Sequence, residues 1–351
     1  MARRNGGMIP TSERTLVFDL NPDNETDVQV PGFYIDLAQC SSLVNRNFQR
    51  QGQQIVVESI EIGVQSGGAY EATINRLPEH WPCINAWEKT MRHWMDQQDE
   101  AAREAGLQST EARYRDFKVH FDAAHVTAGA AANLLPSGYS HDPALTGSNI
   151  EWNMSQVVLP NAGGSAAPVE VYLHMLGADT GATPLASTSC GVIQAYAESR
   201  SRPQRTDPNI VDVDADNTLY GAMTDVAEIV DDVITNYQEH NHVPPYLIGY
   251  DNTHEFYPGG SLTGISWGTA YAMQGTLVDI LSVNALTTSN TDFTGGFTAP
   301  CGLLKIRLNA SNVAVPGVPQ AGDLPCGIWM KIVLAAGMSK GIMSRPMQEV
   351  N

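Results

Sequence analysis

The sequence predicts an all-β protein with inserted helices, organised as a β-sandwich with elaborated loops. Apolar and polar side chains alternate with a period of two along many short stretches, as they do in sheets that bury one face. Glycine and proline are abundant, at 31 and 20 of 351 residues, which favours turns between short strands. The strands do not alternate with helices, as they would in a parallel βαβ sheet. A hydrophobic fraction of 42% indicates a sizeable core.

The alternation locates the individual strands. The stretch 117–121 places three apolar side chains on one face and His120 on the opposite, polar face, and the stretch 169–175 places His174 on its polar face in the same way. Such stretches are typical of antiparallel sheets with one face buried. The predicted strands are 16–20, 33–40, 54–65, 70–77, 117–121, 150–159, 169–175, 190–200, 263–272, 276–285, 304–308 and 330–334.

Two segments have helical periodicity instead. Near 85–106 and near 216–240, apolar side chains recur at positions three, four and seven residues apart. Asn85 is a candidate N-cap of the first helix, and Gly106 is a candidate for its end. We therefore expect both helices to be insertions between strands.

The chain is strongly acidic. Its formal net charge is −18, from 20 basic and 38 acidic residues, and residues 206–304 contain 13 acidic residues and no lysine or arginine. Nucleic-acid-binding domains usually have the opposite balance, so any contact with phosphate must come from a local basic patch. No apolar run approaches the length that a membrane-spanning helix needs, and we expect neither a membrane span nor a secretory signal.

No catalytic motif is recognised in the sequence. The patterns GxSxG, GxGxxG, GxxxxGK[ST] and HExxH do not occur, so we predict that the chain is not an enzyme. Cysteines at long and irregular spacing form neither a disulfide framework nor a zinc pattern. Buried free thiols are predicted at Cys40, Cys83, Cys190, Cys301 and Cys326.

Two groups of residues are candidates for binding a metal ion. Three carboxylates at alternate positions of one loop could converge on a calcium ion, although a solvated acidic loop is the alternative: Asp212, Asp214 and Asp216. Acidic residues from two subunits could also complete such a calcium shell. A second candidate set has the HxH spacing of metal sites: His240, His242 and, farther along, Glu255. A polar loop is the alternative there.

Arginine clusters are the candidates for contact with nucleic acid, because the guanidinium group fits phosphate geometry. The densest cluster is Arg200, Arg202 and Arg205, and a short amino-terminal arm adds Arg3, Arg4 and Arg14. The first cluster could instead pair with the acidic run that follows it. Three tryptophans are predicted to be core or interface anchors: Trp81, Trp87 and Trp94.

Several short stretches over most of the chain share their pattern with one protein family. They are 32–37 (GFYIDL), 42–46 (SLVNR), 77–81 (LPEHW), 85–89 (NAWEK), 131–136 (AANLLP), 257–260 (YPGG) and 300–306 (PCGLLKI). These stretches resemble segments of capsid proteins encoded by small circular single-stranded DNA viruses. The resemblance implies a jelly-roll capsid subunit, with no catalytic residues to carry over.

The resemblance also leads to an expected domain organisation. We expect a short arm over 1–14 and a single jelly-roll shell domain over 15–351, with helical insertions near 85–106 and 216–240. The alternative is a tandem double jelly roll, with two β domains over 15–203 and 216–351. About twelve predicted strands favour the single domain, because two jelly rolls need about sixteen.

The expected function is that of a major capsid protein that self-assembles into an icosahedral shell in the virion. The expected partners are further copies of the chain and packaged single-stranded DNA in limited contact, with a host-surface receptor as a further candidate. The alternative is a carbohydrate-binding or adhesive β-sandwich, in a fibre or spike, that stacks sugars on Tyr246, Tyr250, Phe256 and Tyr257. A third hypothesis is a metal-dependent enzyme that uses the histidine set near residue 240.

Overall fold

The computed structural model describes residues 12–20, 32–65, 69–106, 115–139, 152–159, 168–200, 275–284, 290–310 and 327–349. The chain divides into two compact units, and both are discontinuous in sequence. Unit 1 comprises Met1–Leu77, Ala131–Trp152 and Thr276–Val350, and unit 2 comprises Pro78–Ala130, Asn153–Gly275 and Asn351. The boundary considered near 203–216 lies outside the described residues, as do the predicted helix near 216–240 and the predicted strand 263–272.

The described elements follow one another in this order. The strands are β1 (Thr15–Asp19), β2 (Phe33–Asp36), β3 (Gln53–Val64), β4 (Ala69–Arg76), β5 (His120–Asp122), β6 (Gln156–Leu159), β7 (Val169–Leu176), β8 (Ser189–Gly191), β9 (Thr276–Asn284), β10 (Thr291–Thr294), β11 (Phe297–Ala299), β12 (Leu303–Ala310), β13 (Ile328–Leu334), β14 (Ala336–Gly337), β15 (Gly341–Ile342) and β16 (Ser344–Pro346). The α-helices are α1 (Leu37–Asn45), α2 (Trp81–Glu104), α3 (Ala123–Ala128) and α4 (Val192–Arg200). Short 3₁₀ turns are formed by Ala130–Ala132, Pro184–Ala186, Pro300–Gly302 and Met347–Glu349.

Unit 1 is built from antiparallel sheets. Its first sheet has the strand order β1-β13-β3-β10, with β11 and β16 also paired to β3, and its second sheet has the order β2-β12-β4-β9. The pairs between the early and the late strands are nested: β1 with β13, β2 with β12, β3 with β10 and β4 with β9. Early strands taken in order therefore pair with late strands taken in reverse order.

The core of unit 1 follows from the period of two. Phe18, Met330 and Ile62 lie side by side in the register of the first sheet, and all three are fully buried. In the second sheet, Ile306 and Ile74 form an equivalent buried pair. Because successive side chains point to opposite faces, the intervening residues lie on the outer faces of the two sheets.

Unit 2 combines a small mixed sheet with helices. Strands β5 and β8 both pair parallel to β7, and β6 pairs antiparallel to it. Helix α3 follows β5 directly, because the side chain of Asp122 caps it by accepting from the backbone N–H of His125 at 2.8 Å. Helix α2 has Pro82 in its first turn, where the missing N–H costs nothing.

The all-β prediction holds at the level of a mainly β-strand chain with antiparallel sheets and few helices. Four of the predicted strands are only partly right. The stretch 117–121 is a strand only from His120, and the stretch 150–159 is a strand only from Gln156. The stretch 33–40 becomes helical at Leu37, and the stretch 190–200 becomes helical at Val192. At the first, Asp36 accepts hydrogen bonds from the backbone N–H groups of Ala38 and Gln39, which starts α1. The first helix, expected near 85–106, spans Trp81–Glu104, so its N-cap is His80 and the predicted N-cap Asn85 lies inside the helix.

Candidate functional site

The outer face of the first sheet of unit 1 combines apolar and charged side chains in one row. Val17, Lys331, Glu61 and Phe293 are register neighbours across four strands. Val17 is 43% exposed and Phe293 is 73% exposed. Between them, Lys331 Nζ donates to Glu61 Oε2 at 3.2 Å. A sheet face with exposed aliphatic and aromatic side chains is suited to contact with another protein surface.

A tryptophan on the same face depends on a glycine. Trp329 is the register partner of Gly63, and a Cβ added at Gly63 would overlap the indole ring. The ring therefore lies across the glycine on the neighbouring strand. The absence of a side chain at Gly63 fixes where this aromatic surface lies.

The edges of the unit 1 sheets differ in what covers them. Segment 131–139 runs along the edges formed by β1 and β2, where Ser137 N donates to Val17 O at 2.6 Å and Leu134 N donates to Tyr34 O at 2.8 Å. On β9, the edge strand of the second sheet, Leu277 and Ile280 are 51% and 46% exposed. Covering an edge prevents unwanted pairing, and segment 131–139 does this at the β1 and β2 edges.

Unit 1 also contains a buried carboxylate that is structural. Oδ2 of Asp36 accepts hydrogen bonds from Gln51 Nε2 at 2.9 Å and from Trp152 Nε1 at 2.8 Å, while Oδ1 caps α1. Burial raises the pKa of Asp36 to about 6, and these hydrogen bonds oppose that rise. The group therefore holds β2, α1 and the Trp152 segment together.

A cluster of histidines lies on one face of the unit 2 sheet. His120 of β5 and His174 of β7 are register partners, and they are 2% and 0% exposed. The rings of His120 and His125 are perpendicular, with centroids 4.7 Å apart. His125 Nδ1 accepts from the backbone N–H of Phe121 at 3.0 Å, which places α3 over this face.

The hydrogen bonds of the two register partners are incomplete within the described part of the chain. His174 Nε2 lies 3.2 Å from Ala178 O, so this nitrogen carries the proton in the neutral ring. Nδ1 of His174 and Nδ1 of His120 each have no hydrogen-bond partner among the described atoms. Burial lowers the pKa of His120 to about 3, assisted by the neighbouring His125 and His174. Burial likewise lowers the pKa of His174 to about 4, against the opposing effects of Ala178 O and Asp122.

Ser189 lies on the same face of the sheet, two register positions from His174. Its Cα pairs with that of Tyr172, two residues before His174, and its Oγ also lacks a partner among the described atoms. Ser189 and His174 are both fully buried and share no hydrogen bond, so they do not form a nucleophile and base pair open to a substrate. The arrangement is a buried polar cluster, in which neutral imidazoles are favoured over charged ones.

The structure describes only part of the predicted nucleic-acid-binding set. Arg14 Nη1 donates to Leu334 O at 3.1 Å and lies 3.5 Å from Glu58 Oε2, so it is engaged at the edge of the first sheet. Arg200 is the last residue of α4. The other predicted arginines lie outside the described residues: Arg3, Arg4, Arg202 and Arg205.

The predicted tryptophan anchors all lie on α2. Trp87 is 3% exposed and packs against Phe117, with ring centroids 5.7 Å apart, so its ring belongs to the core of unit 2 rather than to a surface. Trp94 also packs on Phe117, and Trp81 packs edge to face on Tyr196 of α4. Trp81 and Trp94 keep partial exposure, and their role as interface anchors stays a prediction.

The predicted metal and sugar sites lie outside the described residues. They are Asp212, Asp214 and Asp216 for calcium, His240, His242 and Glu255 for a transition metal, and Tyr246, Tyr250, Phe256 and Tyr257 for sugars. Within the described ranges, no group of three or more His, Cys, Asp or Glu residues is arranged to hold a metal ion. The prediction of buried thiols outside disulfides is confirmed for Cys40, Cys83, Cys190 and Cys301, whereas Cys326 is not described.

Comparisons with known proteins found no relative of this chain. No protein-family model, no curated protein and no solved structure matches this chain. Among the described helices, none is long and apolar enough to cross a membrane.

Proposed function

We propose that this chain is a viral major capsid protein, built on a jelly roll, that self-assembles into an icosahedral shell around a single-stranded DNA genome. The nested pairing of the unit 1 strands is the observation that carries the proposal. The exposed apolar side chains on the outer face of the first sheet and on β9 are its second support.

A jelly roll is a long antiparallel hairpin of eight strands that has been rolled into two sheets. In such a roll the first strand pairs with the eighth, the second with the seventh, the third with the sixth and the fourth with the fifth. The pairs of unit 1 follow this scheme if its eight main strands are taken as β1, β2, β3, β4, β9, β10, β12 and β13. Their sheet orders, β1-β13-β3-β10 and β2-β12-β4-β9, agree with a rolled hairpin.

In this proposal, unit 2 is largely an insertion in the connection between the fourth and fifth strands. Strands β5 to β8 and helices α2 to α4 all lie between β4 and β9 in the sequence. The connections of a sandwich tolerate long insertions, because a loop gains little entropic cost as it lengthens. A single jelly roll with one large insertion therefore accounts for the length of the chain.

Subunit contacts would use the apolar surface that each sheet of unit 1 leaves exposed. Phe293 on β10, with Leu277 and Ile280 on β9, exposes far more apolar area than side chains that contribute only to the core. Burial of such surface drives association at about 25 cal/mol per Å² before the entropic costs of binding. A closed shell repeats these contacts by symmetry.

Contact with the genome is limited in this proposal. The net charge of −18 repels DNA at long range, and Arg14 already binds groups of unit 1. Neutralisation of the packaged DNA then falls mainly to other cations. This makes shell formation by protein contacts alone a requirement of the proposal.

The test is assembly of the purified full-length chain, followed by light scattering on a sizing column and negative-stain electron microscopy. We expect closed particles of uniform diameter. The variant Phe293→Ser removes an exposed aromatic contact and should shift the population strongly towards free subunits. The comparison variant is Met338→Ser, which alters a 93% exposed apolar side chain outside the outer face of the first sheet. An equal shift in both variants would mean that assembly does not depend specifically on that face.

Calcium is varied in the same experiment, since the acidic loop at 212–216 is a calcium candidate. Particles that form only with added Ca²⁺ would add calcium to the proposal as a bridging ion. Monomers alone at high protein concentration, both with Ca²⁺ and with a chelator, would contradict the capsid function.

A further inference from the structure

The histidine cluster of unit 2 has a property that assembly does not require. His120 and His174 are buried on adjacent strands, in direct register, and each has one ring nitrogen without a partner among the described atoms. In the neutral ring of His174, Nε2–H donates to Ala178 O, so a second proton would have to go on Nδ1. That proton would create a buried donor without an acceptor, which is costly.

We propose that unit 2 contains an acid-sensitive device, in which protonation of His120 and His174 releases α3 and segment 177–179 from strands β5, β7 and β8. The two imidazoles are neighbours, so the charging of one also opposes the charging of the other. Opening the cluster to water therefore removes most of the free-energy cost of protonation. This property is independent of the proposed capsid function and is tested separately.

Titratable groups on the neighbouring elements surround His120 and His174. Helix α3 supplies His125, whose ring lies against that of His120, and β5 supplies Asp122 at the cap of α3. Strand β7 supplies Tyr172, whose ring centroid is 5.7 Å from that of His120. Strand β6 supplies no titratable side chain.

The chain just before β5 supplies the ion pair of Lys118 and Asp116, and β7 also supplies Glu170. Further titratable groups come from the side of β8 and α4. They are Cys190 of β8, Tyr196 of α4, and Asp179, whose Oδ1 accepts from the backbone N–H of Gly191 at 2.8 Å. Asp122 favours the charged form of His174. Burial raises the pKa of Asp179, so this second carboxylate loses its charge more readily on acidification. The negative charge of Asp179 therefore offsets the positive charge of a buried imidazolium least at the acidic pH at which the imidazolium forms.

The sign of the pH dependence follows from linkage. Both histidines have a pKa below their usual 6.5 in the closed state, so the open state binds more protons below that pH. The closed form is fully favoured above about pH 6.5 and loses that advantage as the pH falls towards 4. In that window each histidine lowers the ratio of closed to open unit 2 by up to about tenfold for every pH unit.

The test is hydrogen–deuterium exchange of the full chain between pH 7.5 and pH 4.5, corrected for intrinsic exchange. We expect peptides that cover β5, α3 and β7 to lose protection as the pH falls, while peptides that cover β3 of unit 1 keep theirs. In the double variant His120→Gln and His174→Gln, protection of the same peptides should no longer depend on pH. The matched control is His93→Gln, a partly exposed histidine of α2, which should keep the wild-type response.

Two results would overturn the proposal. One is equal protection of unit 2 at pH 7.5 and pH 4.5 in the wild-type chain. The other is an unchanged acid response in the double variant. If the double variant does not fold, the wild-type histidines are titrated by NMR. Two resonances that do not titrate above pH 5 support the proposal, whereas titration of every histidine near pH 6.5 contradicts it.

Discussion

The two units differ in whether hydrogen bonds satisfy their buried ionisable groups. In unit 1, Asp36 is fully buried, yet backbone and side-chain donors satisfy both of its oxygens. In unit 2, His120 and His174 are equally buried, yet each keeps a nitrogen without a partner in the described part of the chain. Burial of a polar group costs little when its hydrogen bonds are met and much when they are not. In unit 1 the buried carboxylate connects neighbouring segments through its hydrogen bonds. In unit 2 the unsatisfied ring nitrogens lower the stability, and acidification increases that loss.

This difference predicts opposite responses to pH. The pKa of Asp36 is raised to about 6 from 3.8, so the folded form holds the proton more tightly, and unit 1 gains stability from this group as the pH falls between those values. The pKa values of His120 and His174 are lowered, so unit 2 loses stability from them over much of the same range.

The largest expected effect comes from truncating a buried phenylalanine in the core of each unit. Phe18 in unit 1 and Phe121 in unit 2 are both fully buried, and truncation of a buried phenylalanine to alanine costs about 3–5 kcal/mol. Phe18→Ala should reduce hydrogen-exchange protection in β1, β3 and β13, and Phe121→Ala should reduce it in β5 and β7. Equal loss in all five strands for either variant would contradict the division into two units.

The next effect tests the buried carboxylate of unit 1. Asp36→Asn keeps the shape of the side chain, but an NH₂ group in the place of Oδ2 accepts a hydrogen bond from neither Gln51 nor Trp152. We expect a loss of about 2 kcal/mol, measured by urea unfolding. The loss should grow as the pH is lowered from 7 to 4, because only the wild type gains stability from protonation. A loss that is constant over this range would contradict the raised pKa.

A conservative change at its partner serves as the control for this prediction. Trp152→Phe removes the indole N–H that donates to Asp36 Oδ2, together with part of the ring, and keeps the capping of α1. We expect a smaller loss than for Asp36→Asn, with the pH dependence retained. If Asp36→Asn kept the pH dependence of the wild type, that dependence would not arise from Asp36.

The sandwich strands were predictable because burial of one face imposes a period of two. The predicted strand 54–65 differs by one residue at each end from β3, and 70–77 similarly corresponds to β4. An apolar run alone does not distinguish a strand from a helix, so the stretch 33–40 was wrong beyond Asp36. Asp36 and Gln39 stand three residues apart, as in a capping box, and this spacing was the signal that could have corrected the prediction.

The histidine cluster could not be predicted from the sequence. Alternation placed His120 and His174 on the polar faces of their strands, which are usually exposed to solvent in a half-buried sheet. The structure buries these faces as well, because Asp122 starts α3 directly after β5 and returns His125 over the sheet. Period-two alternation shows which residues share a face. It does not show whether a later helix covers that face.

A smaller effect concerns the glycine beneath Trp329. In Gly63→Ala the added methyl group would overlap the indole ring, so the ring must move off the outer face of the sheet. Overpacking of this kind costs about 1–3 kcal/mol, measurable as a lower thermal midpoint. The control is Gly295→Ala, because an added Cβ there meets no atom within 4 Å. Equal midpoints for the two variants would mean that the ring does not depend on Gly63.

The smallest expected effect tests whether side chains on the outer face of the first sheet contribute to subunit contact or to the stability of unit 1. The ion pair between Lys331 and Glu61 is about two-fifths exposed on both sides, so Lys331→Ala should change unfolding stability by no more than about 1 kcal/mol. Glu58→Ala, which breaks the exposed pair between Arg14 and Glu58, is the control for stability. If the face is a subunit contact, Lys331→Ala should alter the salt dependence of assembly while its thermal midpoint stays near that of the wild type. A large stability loss without any change in assembly would instead make this row part of the fold of unit 1 alone.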